Sequence, residues 1–459
     1  MWNPVTINVD KPLYLAVVDA LERDIRGGVL KPGQQLPTHR ELADIIGVNV
    51  STITRSYKEA ERRGLVSGTV GRGTFVSVDV NTVTSLVRTE SANSNLLEMG
   101  LVLPLYEVEL DVREKLEKLI RSNRLDEYLK YTDPLGLPEH REVGAYWAKR
   151  YGVSAKADDI VVCAGSQHAI TCCLSSLFQS GDRVAVESLT YPGVKSLAAM
   201  LSIRLVPIAM DEEGMLPEAL DMACRRDLIR GIYLMPGVQN PTTASMSAER
   251  RKNIADVVLR YGLTLIEDDA YSFTRPGLSA PIAALLPENS VFIAGVSKVF
   301  YAGLRVSFVT APKHLRLRIA KAVLNTVWMA PTLNVALVAE CIKDGTADRI
   351  LAAKREEAQK RYMVAKDMLH SYSFAGSCTG FFIWLSLPEH WSGKEFELRA
   401  RESGVNVFCA EKFAVGGYAA PPNVRISLTG PPTIGELSKG IDVIKGLLEG
   451  ELIELNPML

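Results

Sequence analysis

Apolar residues near the start of the chain recur every three or four positions, which is the spacing of one buried helix face. Leu13, Val17, Leu21 and Ile25 form such a series, and a glycine pair follows it. The pattern predicts a first helix that packs on its apolar side and ends at the glycines.

Two further helices are predicted from capping residues. Thr38 can cap a helix over residues 39–46, since Glu41 stands three positions later and completes a capping box. Ser51 can cap a third helix over residues 52–63, which a glycine ends. The order of helix, glycine turn and helix indicates a helix-turn-helix unit.

Two short strands are predicted directly after these helices, at residues 65–67 and 74–78, around a tight loop that holds Arg72. The combination is typical of a winged helix-turn-helix domain. In such a domain the second helix of the helix-turn-helix unit, here the third predicted helix, enters the DNA major groove. Residues 11–77 contain ten basic residues (Lys and Arg) and seven acidic residues (Asp and Glu). In the whole chain the two kinds nearly balance, with 52 basic and 53 acidic residues. Basic charge is therefore concentrated in this segment. A helical packing domain that binds no DNA is the alternative.

This segment resembles the GntR family of bacterial regulators, through KPGQQLPTHRELADIIGVNVSTITRSYKEAERRGLV and GRGTFV. The resemblance implies a DNA-binding domain over residues 11–78 and double-stranded operator DNA as its partner. Some contacts would meet phosphates and others base edges. The implied DNA-binding residues are Arg40, Asn49, Thr52, Thr54, Arg55 and Arg72. Arg40 can alternatively form an ion pair with Glu41 or Glu61.

A segment rich in Ser, Thr and Asn, residues 79–95, is predicted to be a solvated linker. Beyond it, six nearly continuous apolar runs alternate with helical patterns, as expected for strands that are buried on both faces. These runs are IVVCAG, RVAVES, GIYLMP, LTLIEDD, SVFIAG and RVSFVT. They predict an α/β domain over residues 96–459 with a mostly parallel sheet.

Polar residues follow several of these runs, where the carboxyl ends of parallel strands form ligand sites. They are Ser166 and Gln167 after the first run, Asn240 after the third, Asp268 within the fourth, and Ser297 and Lys298 after the fifth. Each residue alone has an ordinary structural explanation. Together they suit pyridoxal phosphate, which needs a lysine amine for a Schiff base, an acid at its ring nitrogen, phosphate donors and an aromatic face.

Each part of this predicted site has a candidate. Lys298 supplies the amine, and Asp268 keeps the ring nitrogen protonated. Ser166 and Gln167 begin a helix whose free N–H groups and positive dipole end attract a phosphate. Arg305 adds a forked positive charge.

Three more side chains complete the predicted cofactor site. Tyr191 can stack on the ring, and Asn240 and Tyr271 can donate hydrogen bonds to the ring hydroxyl oxygen. The alternative is that both tyrosines are core aromatics and that Asn240 belongs to an ordinary turn before proline.

From about Leu96 to near its C-terminus, the chain resembles the fold-type I pyridoxal-phosphate aminotransferases. The motifs are AGSQHA, ESLTYPG, PGVQNPT, EDDAY and SKVFYAGLR. The resemblance implies a smaller C-terminal α+β subdomain. It also implies that Tyr131, in YTDPLG, reaches the phosphate of the neighbouring subunit, and that Arg425, in NVRISLT, clamps a substrate carboxylate. Arg425 can instead pair with an internal acid such as Glu411.

A GntR-like domain joined to an aminotransferase-like domain resembles the MocR regulators over nearly the whole chain. This resemblance implies a homodimer and an effector, either pyridoxal phosphate or a small amino compound, that alters DNA binding. Two positions depart from the aminotransferase pattern. Gly295 stands where many relatives carry a hydroxyl, so one phosphate contact is expected to be missing. His168 stands where glutamine is frequent, and we expect it to face the helix core.

Composition adds expectations about the compartment. No run approaches the roughly 20 apolar residues that cross a bilayer, and the first ten residues do not have the pattern of a signal peptide. We expect a cytoplasmic protein without a membrane partner. Seven cysteines without a C-x-x-C pair are typical of a reducing compartment, so neither a disulfide nor a zinc ion is predicted.

The favoured hypothesis is a transcriptional regulator whose large domain senses pyridoxal phosphate, an amino acid or an amine. A working aminotransferase is the alternative, with Lys298 moving the proton and Arg425 orienting the amino acid. Sustained turnover would destroy the signal, so a slow half-reaction suits an attached DNA-binding domain better. A third hypothesis makes the large domain a dimerisation scaffold, which leaves Lys298 and Asp268 unexplained.

Overall fold

The computed structural model describes residues 2–3, 12–30, 34–62, 65–69, 73–76, 96–108, 112–275, 277 and 279–450. Arg72, the end of the second predicted hairpin strand and the predicted linker lie outside these residues. Within the described part of the chain, no helix is long and apolar enough to span a membrane.

The N-terminal domain contains the three predicted helices and the hairpin. The helices are Leu13–Arg26, His39–Ile46 and Val50–Arg62, and the antiparallel strands are Val66–Thr69 and Gly73–Val76. The predicted capping box is confirmed. The Thr38 N–H donates to Glu41 Oε2 at 2.8 Å, and the Glu41 N–H donates to Thr38 Oγ1 at 3.3 Å.

The start of the third helix was predicted wrongly. The helix begins at Val50, and Asn49 rather than Ser51 caps it. Asn49 Oδ1 accepts hydrogen bonds from the Ser51 backbone N–H and from the Ser51 hydroxyl, both at 2.9 Å. Asparagine and serine cap helices equally well, so neighbouring candidates could not be separated from the sequence.

The N-terminal domain has its own apolar core, formed by the three helices and the hairpin. Leu21, Leu42, Ile53, Ala60 and Val76 are each no more than 1% exposed. The helical spacing of the sequence therefore corresponds to real burial, which is what holds the third helix in place as a rigid element.

A seven-stranded sheet forms the centre of the large domain. In spatial order its strands are Ile160–Cys163, Ser307–Thr310, Ser290–Gly295, Thr264–Asp269, Ile229–Leu234, Arg183–Glu187 and Arg204–Ile208. Neighbours are parallel except that Ser307–Thr310 is antiparallel to both of its neighbours. The sheet is mostly parallel, as predicted, so the carboxyl ends of six strands lie at one edge.

Two strands depart from the expected pattern of parallel strands with continuous apolar runs, each for a physical reason. Arg204–Ile208 lies at the edge of the sheet, is partly exposed and contains Pro207, so it does not form a continuous apolar run. The short connection between Ser290–Gly295 and Ser307–Thr310 leaves no room for a crossover helix, so the chain reverses direction there.

Helices flank the sheet and connect its strands. They are Arg113–Ile120, Leu125–Tyr128, Pro138–Arg150, Ser166–Leu177, Pro192–Met200, Pro217–Arg226, Ala248–Tyr261, Lys313–Thr326 and Thr332–Lys343. A small hairpin of Met210–Asp211 and Gly214–Met215 lies between two of them.

The smaller C-terminal α+β subdomain is present. Its antiparallel sheet contains, in spatial order, Phe374–Ala375, Phe382–Ser386, Asn423–Ser427 and Phe408–Cys409. Its helices are Thr346–Met368, Gly393–Glu402 and Ile434–Glu449. These elements enclose a second apolar core, distinct from the core of the seven-stranded sheet.

Residues 96–108, which we call the crossing segment, follow the predicted linker and pass over the C-terminal subdomain. Leu97–Glu98 pairs in parallel with Val405–Asn406. Farther along the segment, the Met99 carbonyl accepts the Ser427 N–H at 2.7 Å, and the Leu103 carbonyl accepts the Thr429 hydroxyl at 2.7 Å. The crossing segment is thus bound to the strand that carries Arg425 and to the residues that follow it.

Candidate functional site

A cavity of about 190 Å³ lies at the carboxyl ends of the parallel strands. Nine of the ten predicted cofactor residues line it. They are Ser166, Gln167, Tyr191, Asn240, Asp268, Tyr271, Ser297, Lys298 and Arg305. Gly295, Ile170, Met235 and Ala270 complete its wall. Residues that are more than a hundred positions apart in the sequence are therefore brought together as the strand-end argument predicts.

Asp268 is buried in the wall of this cavity with one oxygen bonded and the other unpaired. Its Oδ2 accepts a hydrogen bond from the Tyr233 hydroxyl at 2.8 Å. Its Oδ1 has no hydrogen-bond partner among the described residues. Burial raises the pKa of Asp268 to about 7. A protonated ring nitrogen entering the cavity would supply the donor that Oδ1 lacks.

Lys298 projects its amine toward the crossing segment, where Nζ donates to the Val102 carbonyl. Burial of the amine, together with the positive charges of Arg425, Arg305 and Lys354, lowers the pKa of Lys298 to about 8. The uncharged, nucleophilic form of the amine is therefore accessible near neutral pH. The buried Lys354 amine lies 3.3 Å from the Lys298 carbonyl oxygen.

The start of helix Ser166–Leu177 forms an anion cradle. The Gly165 backbone has a φ of 85°, and a Cβ there would lie 2.2 Å from Arg305 Nη2, so only glycine lets the guanidinium come this close. Arg305 Nη1 donates to Ser297 Oγ at 3.0 Å. The free N–H groups of the helix and this guanidinium offer two kinds of donor to a phosphate.

Gly295 has a structural role that the sequence did not reveal. A Cβ at this position would lie 2.1 Å from Ser166 Oγ, so the absence of a side chain makes room for the Ser166 hydroxyl. The Ser166 hydroxyl of the neighbouring helix thus occupies the space that a side chain at position 295 would take.

Arg425 is buried beside the cavity and makes two contacts. It donates to Asn240 Oδ1 and to the Gly100 carbonyl of the crossing segment, while its Nε has no partner among the described residues. The pairing with Glu411 that the sequence left open is not formed. Burial lowers the pKa of Arg425 to about 10.

Aromatic rings surround the Arg425 guanidinium. The rings of Phe382, Phe408 and Phe413 lie between 4.9 and 5.5 Å from it. Tyr271 packs edge-on against Phe382, with ring centres 5.2 Å apart. Such an apolar, positively charged pocket strengthens any pairing with a carboxylate, because water is largely excluded.

Tyr131 and His168 lie away from the cavity. Tyr131 is 81% exposed and packs against Trp328, with ring centres 5.4 Å apart. His168 is half-buried and is directed toward the helix Lys313–Thr326, where Nε2 lies 2.8 Å from Oγ1 of the exposed Thr326.

Sequence reasoning missed three groups that contact the key side chains. Tyr233 lies inside an apolar strand, and its hydroxyl is bonded to Asp268 one strand away. The Gly100 and Val102 carbonyls have no side-chain signature at all. A tyrosine within an otherwise aliphatic strand next to a strand-end acid was the one available signal.

The predicted DNA-binding residues lie in and beside the helix Val50–Arg62. Arg40 and Asn49 are exposed, and Arg40 forms no ion pair within the described residues, so the alternative pairing with Glu41 or Glu61 is not formed. Thr54 Oγ1 donates to the Val50 carbonyl at 2.9 Å.

Thr52 is half-buried on the same helix, about one turn before Arg55. The Arg55 guanidinium lies 3.8 Å above the centre of the Tyr14 ring, a cation–π contact that orients it. Arg72 lies outside the described residues.

Comparisons with known proteins agree with this architecture. Residues 13–76 match the family "Bacterial regulatory proteins, gntR family", and residues 100–444 match "Aminotransferase class I and II". The uncharacterized HTH-type transcriptional regulator YdeF of Bacillus subtilis is 36% identical over 98% of this chain and 97% of its own length. The vitamin B6 salvage pathway transcriptional repressor PtsJ of Salmonella typhimurium is 27% identical over 90% of this chain and 93% of its own.

Solved structures establish the fold of the large domain. An archaeal alanine:glyoxylate aminotransferase superposes with a TM-score of 0.75 at 22% identity, covering 86% of this chain and all of its own. The α-aminoadipate aminotransferase LysN of Thermus thermophilus superposes with a TM-score of 0.72 at 23% identity, covering 86% and 99%. The large domain thus has the fold of the pyridoxal-phosphate-dependent aminotransferases.

A winged helix-turn-helix domain followed by this fold defines a class of one-chain transcriptional regulators. The chain belongs to the MocR-type regulators, which join a GntR-family DNA-binding domain to a class I and II aminotransferase domain.

Proposed function

We propose that this regulator holds pyridoxal phosphate through Lys298 and changes its affinity for operator DNA when an amino compound with a carboxylate reaches Arg425. One observation carries the proposal. A lysine amine, a buried carboxylate with a free oxygen and an anion cradle all face one cavity of about 190 Å³. These are the groups that the cofactor requires.

Each residue has a distinct part in holding the cofactor. Lys298 binds it covalently through Nζ, and the free Oδ1 of Asp268 accepts its ring N–H. Ser166, Gln167, Ser297 and Arg305 bind the phosphate, as does Tyr131 of a second copy of the chain in a homodimer. Tyr191 packs on the ring, and Asn240 and Tyr271 donate to its hydroxyl oxygen. When bound, pyridoxal phosphate supplies an aldehyde that condenses with amines and a ring that withdraws electrons.

The crossing segment provides a route from this site toward the DNA-binding domain. Its Gly100 carbonyl is bound to Arg425, and its Val102 carbonyl is bound to Lys298. A carboxylate that takes the Arg425 donors competes with the Gly100 carbonyl. The crossing segment directly follows the proposed linker, residues 79–95. Displacement of the crossing segment would therefore move the point at which the large domain joins the linker.

The ligand must bind the two arrangements of the protein with different affinities, since equal affinity shifts no equilibrium. We propose that the DNA-binding domain, residues 11–78, binds the operator through Arg40, Asn49, Thr52, Thr54, Arg55 and Arg72, and that residues 96–459 form the sensing domain. Paired half-sites about 34 to 36 Å apart would match a dimer.

Cofactor binding is tested by the visible absorption of the full-length protein mixed with pyridoxal phosphate. We expect a new absorption band that Lys298→Ala abolishes and that the exposed control Lys321→Ala retains. An unchanged band in Lys298→Ala would contradict the role of this lysine.

The effector role of Arg425 is tested by operator binding in the presence of pyridoxal phosphate and a panel of amino acids. We expect at least one amino acid to change the dissociation constant in the wild type. Arg425→Gln should lose this response and keep the absorption band, whereas Arg399→Gln, which changes an exposed arginine, should keep both. An effector response that survives in Arg425→Gln would rule out the proposed clamp.

An active aminotransferase is the second candidate function, and the lowered pKa of Lys298 favours it, since a free amine can carry a proton during transamination. It predicts continuous formation of a keto acid from an amino donor. A single turnover that stops after one equivalent would support the sensing function instead.

A further inference from the structure

Two cysteines and a histidine form a cluster at the base of the anion cradle. The sulfur atoms of Cys163 and Cys172 and a ring nitrogen of His168 lie within 4.8 Å of one another. Cys163 ends the strand Ile160–Cys163, and the other two residues lie in the first two turns of helix Ser166–Leu177. None of the three lines the cofactor cavity, so the proposed function leaves them unused.

Hydrogen bonds determine which nitrogen of His168 carries the proton. The Ala164 N–H donates to Nδ1 at 3.0 Å, so Nδ1 presents a lone pair and the neutral ring carries its proton on Nε2. Nε2 lies 2.8 Å from Thr326 Oγ1, whose own hydrogen is donated to the Ala322 carbonyl at 2.7 Å. Nε2 also lies 3.2 Å from Cys172 Sγ.

His168 therefore acts as a hydrogen-bond donor toward Cys172 and Thr326. A metal ion at Nε2 would need a lone pair on that nitrogen. In the neutral ring the in-plane lone pair is on Nδ1, where it accepts the hydrogen bond from the Ala164 N–H. The geometry thus favours thiol chemistry over metal binding at this cluster.

The two thiols have unequal acidity. Donation from the Cys163 S–H and from His168 holds the pKa of Cys172 below its usual value. The hydrogen bond to Cys172 and burial raise the pKa of Cys163. One sulfur is thus favoured as a thiolate, which is the reactive form, and the adjacent sulfur remains a thiol.

Both cysteines are buried, but Cys172 Sγ lies 3.9 Å from Oγ1 of Thr326, an exposed residue. His168 is half-buried, and its Nε2 lies 3.2 Å from the same sulfur. The reaction proposed below requires movement of the His168 ring to admit a molecule of the size of hydrogen peroxide.

We propose that Cys172 and Cys163 form a peroxide-sensitive thiol pair that closes to a disulfide. The Cys172 thiolate attacks one peroxide oxygen, the O–O bond breaks, and the products are a sulfenic acid and hydroxide. Cys163 sulfur then attacks the sulfenic sulfur, forms the S–S bond and expels the oxygen as water. The hydroxide takes up the proton that Cys172 lost when it became a thiolate. The two thiols together lose two electrons, and one peroxide is reduced to two waters.

Closure of this bond would alter the anion cradle. An S–S bond of about 2.05 Å must draw together a strand end and a helix that are joined by residues 164–165 alone. Gly165 lies in that connection and Ser166 begins the helix, so the disulfide would displace the phosphate donors. This consequence rests on the proposed function, whereas formation of the disulfide does not.

The test begins with full-length reduced protein, one equivalent of hydrogen peroxide and peptide mapping by mass spectrometry. We expect a Cys163–Cys172 disulfide, with Cys172 reacting at least about tenfold faster than the exposed Cys378. Cys163→Ser should leave a sulfenic acid on Cys172 that dimedone traps. Cys172→Ser should leave Cys163 unmodified, and Cys341→Ser, a buried control, should behave like the wild type.

Three results would overturn the thiol pair. They are folded wild-type protein in which both cysteines stay reduced after peroxide treatment, a disulfide that involves Cys173 or Cys378 instead, and stoichiometric bound zinc that Cys172→Ser removes.

Pyridoxal phosphate titration of reduced and oxidised protein tests the coupling between the disulfide and the cofactor, and we expect at least tenfold weaker binding after oxidation. Equal binding would refute the coupling. Failure of the reduced protein to bind pyridoxal phosphate would instead count against the proposed function.

Discussion

Three carboxyl groups of the large domain are buried so deeply that they favour the protonated form. Burial raises the pKa of Asp268, Glu187 and Glu267 to about 7 in each case. Because the folded-state pKa lies above the unfolded value, the folded state binds protons more tightly. The resulting stability is fully present below the unfolded pKa and is lost as pH rises through about 7.

Asp268→Asn tests this effect at one residue. We expect the free energy of unfolding of the wild type without added ligand to decrease between about pH 5 and about pH 7.5. In Asp268→Asn this decrease should be smaller by about 2 kcal/mol. Asparagine keeps the shape but cannot ionise. Urea unfolding at the two pH values measures the difference, and the exposed control Asp126→Asn should match the wild type.

A second residue-scale prediction concerns Tyr14, which supports Arg55 from another helix. Tyr14→Leu keeps an apolar side chain but removes the ring face that orients the guanidinium. We expect operator affinity to fall by roughly 2- to 5-fold, since exposed cation–π contacts contribute about 0.5–1 kcal/mol. Fluorescence anisotropy measures the affinity. An unchanged affinity would show that DNA orders Arg55 without help from the ring.

At the scale of elements, the strand Ser290–Gly295 and the helix Ser166–Leu177 meet with no space between them at Gly295. Adding a hydroxyl-bearing side chain at this position with Gly295→Ser would therefore force Ser166 from its place. We expect pyridoxal phosphate to bind at least about tenfold more weakly, because one donor is displaced as another is added. The control Gly303→Ser, whose Cβ meets open space, should bind normally. Tighter binding by Gly295→Ser would refute this explanation.

At the scale of the whole molecule, the DNA-binding domain and the large domain have separate apolar cores. Leu42→Ala removes a fully buried side chain from the first core, which typically costs about 2 to 5 kcal/mol. We expect loss of operator binding and a lower melting transition for that domain, with unchanged absorption of bound pyridoxal phosphate.

Differential scanning calorimetry of the full-length chain can check this independence. Leu220→Ala, in a core of the large domain, should shift the other transition. A single transition that both variants shift equally would show that the two domains unfold together.

The amino-acid sequence by itself determined most of the helices and strands and most of the residues that line the candidate site. Helix spacing, the Thr38 capping box and continuous apolar runs are local properties of the chain, and parallel strands bring their carboxyl ends to one edge. Lys298, Asp268 and Ser166 could therefore be assigned to one site from their positions after strands. The choice between Asn49 and Ser51 failed because both residues cap helices well.

Tertiary structure alone decided the contacts that tune this site. The Gly100 carbonyl meets Arg425 across 325 positions, and the Val102 carbonyl meets Lys298 across 196. Backbone carbonyls are the same in every residue, so no side-chain pattern marks them. The Tyr233–Asp268 hydrogen bond and the Cys163–His168–Cys172 cluster likewise depend on how separate elements pack, since a periodic pattern specifies which face is buried but not which side chains meet there.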